Sequence, residues 1–157
     1  MALDASQPAF SYAARGSAAA ADPHHQGRYD PQVTESDVYA VIGEAGFTRL
    51  VGAFYAHVPG DDILGPMYPK DDLVGSEERL RDFLVFRFGG PQRYVEHRGH
   101  PRLRARHAPF RIDRSARERW VTLMEQALDQ VALAPEADAL LRLFFRDTAT
   151  FLINRPG

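Results

Sequence analysis

Three histidines, His97, His100 and His107, cluster in the segment "EHRGHPRLRARHAPF". Neutral imidazole is the commonest metal ligand among protein side chains. A zinc ion would need a third or fourth ligand, and residues 98–110 contain no carboxylate that could supply one. One histidine is enough to act as an axial ligand of haem iron, because the porphyrin provides the other four nitrogens. A haem site, a zinc site and a purely structural role all stay open at this point.

His107 has the local setting that an axial haem ligand needs. It ends a short predicted helical run just before Ala108-Pro109. Its Nδ1–H can donate to a carbonyl one turn earlier, near Leu103, which fixes the tautomer and leaves Nε2 for a metal. Arg102 and Arg106 add positive charge beside it. Composition alone still favours a core or surface histidine at this position.

The positive charge of the chain is concentrated around these histidines. Residues 98–119 contain eight arginines against Asp113 and Glu118, a charge of +6 in a chain whose net charge is −2. Such a segment could bind nucleic acid as part of a haem-free helical module. Against that alternative, the rest of the chain carries −8, and proline and glycine interrupt the basic run.

Several other kinds of site are excluded or disfavoured by the residue types. The chain has no cysteine, which excludes disulfides, iron–sulfur clusters, thiolate zinc sites and thioether-attached haem. It has no glycine-rich phosphate loop, no H-E-x-x-H motif and no serine in a nucleophile setting. No apolar run approaches the length of a membrane span and no secretory signal is recognisable, so we expect a cytoplasmic protein.

The elements that must position these residues are all predicted to be helices. Residues 1–32 lack apolar periodicity and are predicted to be a disordered tail, and residues 33–157 form one all-α domain. Thr34 and Asp37 fit a capping box for a first helix that ends near Gly43. Further predicted helices cover about 46–58, 75–88, 115–131 and 135–153, with short helical pieces around residues 98–109.

Four segments of this domain resemble the truncated haemoglobins of group II. They are "GFTRLVGAFYAHV", "LGPMYPKDDLVGSEERLRDFL", "GGPQRYVEHRGHPRLRARHAPFRI" and "ARERWVTLM", in this order and without a large gap. The run "RGHPRLRxRHxPF" with a tryptophan thirteen residues after its last histidine is highly specific. The resemblance implies a truncated globin fold with helices packed two over two. One departure is that Arg87-Phe88 stands where the family often has Tyr-Trp.

The resemblance also implies the roles of individual residues. His107 would be the iron ligand on the proximal side, and Tyr55 and Trp120 would direct polar hydrogens at a bound ligand on the distal side. Tyr68 would add a third donor or hold Tyr55 in place. The remaining expected haem contacts comprise a small distal residue, two arginines near the propionates and apolar wall positions: Ser76, Arg79, Arg106, Leu80, Phe83, Leu103, Ile112 and Met124.

The implied function is a haem b protein that binds dioxygen, carbon monoxide and nitric oxide, or reacts with peroxide. A distal side with several donors suits slow oxygen release more than rapid delivery. Nitric oxide dioxygenase or peroxidase-like activity is the enzymatic alternative, and it would require a reductase. A homodimer is a further open alternative, whereas nucleic acid and membrane are not expected as partners.

Overall fold

The computed structural model describes residues 32–157, and the predicted tail falls almost entirely outside this range. Within it the chain forms six α-helices and no strand, which confirms the all-α prediction. The helices follow one another as α1 Val38–His57, α2 Leu73–Arg87, α3 Arg93–Arg98, α4 Leu103–His107, α5 Arg114–Val131 and α6 Pro135–Phe151. No helix of the described range is long and apolar enough to cross a membrane.

The start of α1 follows the predicted local signals. A 3-10 turn, Glu35–Asp37, precedes the helix, and the Asp37 carboxylate accepts from the Thr34 N–H at 2.9 Å and from its hydroxyl at 2.7 Å. Gly43 interrupts the helix with φ 65° and ψ 176°. A positive φ is readily adopted by glycine. The predicted helix end at Gly43 is therefore a kink, after which α1 continues.

The core lies where α1 packs against α2 and α5, and where α5 packs against α6. The predicted stripe of α1 supplies Phe47, Leu50 and Phe54, which are fully buried. Leu128 of α5 and Leu141 of α6 are buried to the same extent. Burial of these apolar side chains supplies most of the stabilisation of the helix packing, because an isolated helix of this length is marginal in water.

Arg87 shows how the chain accommodates its departure from the family pattern. Its guanidinium lies 5.0 Å from the centroid of the Phe144 ring and 5.5 Å from that of Phe88. It also donates to the Glu35 carboxylate at 2.7 Å. An arginine covers apolar surface with its stem and pairs with both aromatic faces and carboxylates. Arg87 thus covers two aromatic rings and ties the first turn of the domain to the end of α2.

Candidate functional site

A cavity of about 500 Å³ lies between the helices, with walls contributed by all six of them, α1–α6. Its volume is in the range of small-molecule and cofactor sites, roughly 300–1,000 Å³. Of the predicted site residues, those that line this cavity are Tyr55, Tyr68, Ser76, Arg79, Leu80, Phe83, Leu103, Arg106, His107, Ile112 and Trp120. Met124 does not line it: this side chain lies one turn beyond Trp120 on α5 and is fully buried in the helix core.

The imidazole of His107 is oriented by its own helix. Its Nδ1 lies 2.6 Å from the carbonyl oxygen of Leu103, one turn earlier on α4. A carbonyl only accepts, so in the neutral ring Nδ1 carries the proton and Nε2 keeps its lone pair. Nε2 has no hydrogen-bond partner in residues 32–157. His107 therefore presents a basic nitrogen in the tautomer that metal ligation requires.

The loop before α4 is held in an uncommon conformation by two side chains. Arg102 has φ 41°, in the left-handed region that costs a non-glycine residue about 1–3 kcal/mol. Its N–H donates to Nδ1 of His100 at 3.1 Å. Arg106 donates from Nε to the Pro101 carbonyl at 2.8 Å and from Nη2 to the Arg98 carbonyl at 2.7 Å. His100 and Arg106 thus fix the loop that carries His107, and Arg106 has fewer N–H groups left for an anionic ligand.

Asn154, which the sequence patterns did not single out, ties this segment to the end of the chain. Its Oδ1 accepts from the Ile112 N–H at 3.0 Å, and its Nδ2 donates to the carbonyls of His107 at 3.2 Å and Phe110 at 3.0 Å. The side-chain amide satisfies backbone groups just after α4, where no helix provides partners. An asparagine after the last helix looks like an ordinary turn residue in the sequence, so no local signal could have identified it.

Three polar side chains line the same cavity and form a connected group. The indole Nε1 of Trp120 donates to the hydroxyl oxygen of Tyr68 at 3.3 Å. The rings of Tyr55 and Tyr68 meet edge to face, with centroids 5.6 Å apart. The Tyr55 hydroxyl has no hydrogen-bond partner in the described part of the chain. The sequence-based expectation had Trp120 donating directly to a ligand, whereas here Tyr68 accepts its N–H.

Both tyrosines keep their protons at neutral pH. Burial raises the pKa of Tyr68 to about 12, although the bond from Trp120 opposes the shift. Burial also raises the pKa of Tyr55 far above its usual value, and the neighbouring Tyr68 adds to the effect. Each hydroxyl is therefore available as a donor.

Arg79 approaches the cavity from the first turns of α2. Its Nη2 donates to the Asp72 carboxylate at 3.0 Å and to the Ser76 hydroxyl at 3.1 Å. This pair lies over Gly75, where an added Cβ would be 2.2 Å from an Asp72 oxygen. A side chain at position 75 would therefore displace the Asp72–Arg79 pair from its present position. Arg79 lines the cavity wall, where its guanidinium is paired with the Asp72 carboxylate.

The arginines around α4 have no carboxylate partner among the described residues, whereas most of the other arginines there do. Several arginines of α2, α3, α5 and α6 form ion pairs, such as Arg93 with Glu44 at 2.6 Å and Arg142 with Asp138 at 2.7 Å. No carboxylate within residues 32–157 lies at ion-pair distance from the arginines near His107, which are Arg98, Arg102, Arg104 and Arg106. Arg98 and Arg106 line the cavity, so its wall carries uncompensated positive charge.

These features fit a large apolar cofactor with one metal and acidic substituents. The wall is mostly hydrophobic, one imidazole nitrogen is free, and guanidinium groups stand at the edge. The described residues contain no group of three or more His, Asp or Glu side chains that could hold a metal ion. The zinc alternative therefore lacks ligands in this part of the chain, whereas a porphyrin brings its own four nitrogens.

Comparison with known proteins agrees with this geometry. The family model of bacterial-like globins matches residues 37–151. The group 2 truncated haemoglobin YjbI of Bacillus subtilis is 37% identical over 117 residues, which cover 74% of this chain and 88% of that protein. A solved thermostable haemoglobin from Thermobifida fusca is 45% identical with a TM-score of 0.74, covering 76% of this chain and 98% of that one. A truncated oxygen-avid haemoglobin from Bacillus subtilis is 37% identical with a TM-score of 0.71, over 74% and 98% of the two chains.

The match spans both sides of the cavity, from the first helix with Tyr55 to the last helix, and includes the segment with His107. It therefore confirms the family and the two-over-two helix arrangement that the sequence motifs implied. Globins bind diatomic ligands at haem iron, and the apolar cavity with its free imidazole nitrogen fits that cofactor. The chain belongs to the group II truncated haemoglobins.

Proposed function

We propose that the protein holds haem b through Nε2 of His107 and binds dioxygen, carbon monoxide and nitric oxide, with slow release of oxygen. The observation that carries this proposal is the convergence on one cavity of a tautomer-fixed imidazole, the Tyr55 hydroxyl and the hydrogen-bonded pair of Tyr68 and Trp120. When bound, haem supplies an iron centre that coordinates diatomic ligands. The relative from Bacillus subtilis described as oxygen-avid supports the assignment of slow release.

Tyr55, Tyr68 and Trp120 would act on the bound ligand as a group of donors. The Tyr55 hydroxyl proton has no partner within residues 32–157, so donating it to a ligand breaks no protein hydrogen bond. Tyr68 accepts from Trp120, and a hydroxyl that accepts one hydrogen bond becomes a stronger donor. In this arrangement Trp120 acts through Tyr68.

The donors would retain oxygen by opposing its dissociation. A hydrogen bond to a partly charged ligand in a low-dielectric site contributes about 1–3 kcal/mol. Two such bonds together contribute about 2–6 kcal/mol and slow dissociation by roughly 10 to 10⁴, since each 1.4 kcal/mol corresponds to about a factor of ten.

The unpaired arginines would interact with the acidic edge of the cofactor. Arg98 and Arg106 line the cavity without a carboxylate partner in the described residues, whereas Arg79 would first have to leave Asp72. Exposed ion pairs of this kind contribute at most about 1 kcal/mol. The arginines would therefore orient the cofactor, and the apolar wall and His107 would provide most of the binding energy.

Absorption spectroscopy of the protein produced with haem tests the proposal. We expect a Soret band that shifts on reduction and again on addition of carbon monoxide, and a pyridine haemochrome spectrum of haem b. Stopped-flow measurement of oxygen dissociation then tests the donors, with Trp120→Phe and Tyr68→Phe releasing oxygen faster than the unmodified protein. A colourless product would refute the haem assignment, and unchanged dissociation in both variants would refute the donor role.

Redox chemistry on nitric oxide or peroxide is the second candidate. The same donor group favours it, because polar hydrogens that stabilise bound oxygen also polarise an O–O bond. Turnover with nitric oxide would consume bound dioxygen and would require a reductase to restore the ferrous state. Steady-state oxidation of a peroxidase dye by hydrogen peroxide, lost in Tyr55→Phe and Tyr68→Phe, is the measurement that separates this activity from simple ligand binding.

A further inference from the structure

The turn that leads to Tyr68 is organised by the carboxylate of Asp61. Its Oδ1 accepts from the N–H groups of Ile63 at 3.0 Å and Leu64 at 2.8 Å, and the Asp61 carbonyl accepts from the Gly65 N–H at 3.0 Å. The Asp61 side chain is only 6% exposed. Burial raises the pKa of Asp61, but these N–H groups and Arg119 lower it by more, so the carboxylate is charged at neutral pH.

The other oxygen of Asp61 connects this turn to α5. Arg119 donates from Nη1 to Oδ2 of Asp61 at 2.6 Å. Arg119 is the residue before Trp120, whose indole donates to Tyr68. The turn is therefore attached to α5 at two points. One is the hydrogen bond between Tyr68 and Trp120, and the other is the ion pair between Asp61 and Arg119. Two points of attachment restrict how the turn can move relative to the helix, whereas a single hydrogen bond would still allow the turn to rotate about it.

We infer that Asp61 is a positioning residue for the distal donors: through Arg119 it sets the geometry of the Tyr68–Trp120 hydrogen bond and thereby the rate of oxygen dissociation. The inference rests on the proposed function, in which Tyr68 donates to the bound ligand. Asp61 does not itself line the cavity, so any effect on the ligand has to pass through the residues that it orients.

The neighbouring residue Asp62 provides a matched control. Its Oδ1 accepts from the same Nη1 atom of Arg119 at 2.9 Å, but its side chain is 82% exposed and no hydrogen bond joins it to the turn. Loss of the Asp62 charge changes the electrostatics of Arg119 without releasing the turn. A surface pair of this kind is expected to contribute little.

The test compares Asp61→Asn with Asp62→Asn in the haem-loaded protein. Asparagine at position 61 keeps a carbonyl oxygen for the N–H groups of the turn but loses the charged bond to Arg119. We expect oxygen dissociation to accelerate on the order of threefold to tenfold in Asp61→Asn, the size of a coupling of about 0.7–1.4 kcal/mol between residues in contact. Asp62→Asn should stay within about twofold of the unmodified protein.

Two further readouts separate positioning from a general loss of stability. The C–O stretching band of the carbon monoxide complex reports the field of the distal donors, and we expect it to shift or broaden in Asp61→Asn only. In a Tyr68→Phe background the Asp61→Asn effect on dissociation should fall below about twofold, because the group that it positions is gone. A purely structural role would leave the effect the same in both backgrounds.

The inference is overturned if Asp61→Asn and Asp62→Asn give the same rates and bands, or if the Asp61 effect persists unchanged with Tyr68→Phe. If Asp61→Asn does not fold, Arg119→Gln breaks the same contact from α5 and should produce the same acceleration and band shift; normal values would overturn the inference. Unchanged dissociation in Tyr68→Phe itself would instead refute the donor role, which keeps the two failures distinct.

Discussion

Replacing Tyr55 by phenylalanine removes one hydroxyl group and leaves the aromatic ring in place. The ring packs edge to face on Phe54, with centroids 5.4 Å apart, and on Tyr68 at 5.6 Å. These contacts do not involve the hydroxyl, which has no hydrogen-bond partner among residues 32–157. The substitution therefore leaves no described protein group unsatisfied, and we expect the free energy of unfolding to change by less than about 0.5 kcal/mol.

Oxygen dissociation should respond much more strongly than stability. The lost group is a donor to a partly charged ligand in a buried site, and such a bond contributes about 1–2 kcal/mol. At about 1.4 kcal/mol per factor of ten, the dissociation rate should rise roughly fivefold to thirtyfold. The direction is an increase, because the hydrogen bond stabilises the bound state and is absent after the ligand leaves.

The assay is stopped-flow displacement of oxygen by carbon monoxide in the presence of an oxygen scavenger. Tyr39→Phe serves as the control, because Tyr39 is also on α1 and stacks on Phe47 but does not line the cavity. We expect this control to release oxygen at the unmodified rate. A Tyr55→Phe rate within twofold of that of Tyr39→Phe, in a protein that unfolds normally, would refute the assignment of Tyr55 as a donor.

Three further outcomes are expected. His107→Ala should lose tightly held haem, whereas His100→Ala should retain it, and haem transfer to apomyoglobin measures both; equal retention would place the iron ligand elsewhere. Asn154→Ala should lower the free energy of unfolding by about 1–3 kcal/mol in denaturant titrations, because it leaves the part-buried Ile112 N–H without its acceptor and removes one of the two hydrogen bonds to the His107 carbonyl; an unchanged midpoint would contradict this. The rate of oxygen dissociation should be independent of pH between about 6 and 10, because the pKa of Tyr68 is raised to about 12. The free energy of unfolding should fall from pH 10 towards 12, where only the unfolded chain releases that proton. An inflection of the dissociation rate near pH 10 would disprove the protonated donor.

Local sequence patterns determined the helices and several of the site residues. Apolar side chains at helical spacing predicted the stripe of α1 that includes Phe47 and Phe54, because that pattern depends on interactions within one or two turns. Gly43 predicted the end of a first helix, and the structure has a kink there within one longer helix. The bond between His107 and the Leu103 carbonyl spans four residues and follows from the same short-range geometry. The family motif then supplied Tyr55, Tyr68 and Trp120.

The connections between helices were decided only by the tertiary structure. Trp120 donates to Tyr68 across 52 positions, Arg119 reaches Asp61 across 58, and Asn154 reaches His107 across 47. Periodicity marks the face of a helix that is buried but not the neighbour against which it packs. For the same reason Met124, on the same stripe as Trp120, was expected at the cavity but lies in the core. The residues of this site could be inferred from the sequence, but which side chain bonds to which depends on the packing of segments that are far apart in the chain.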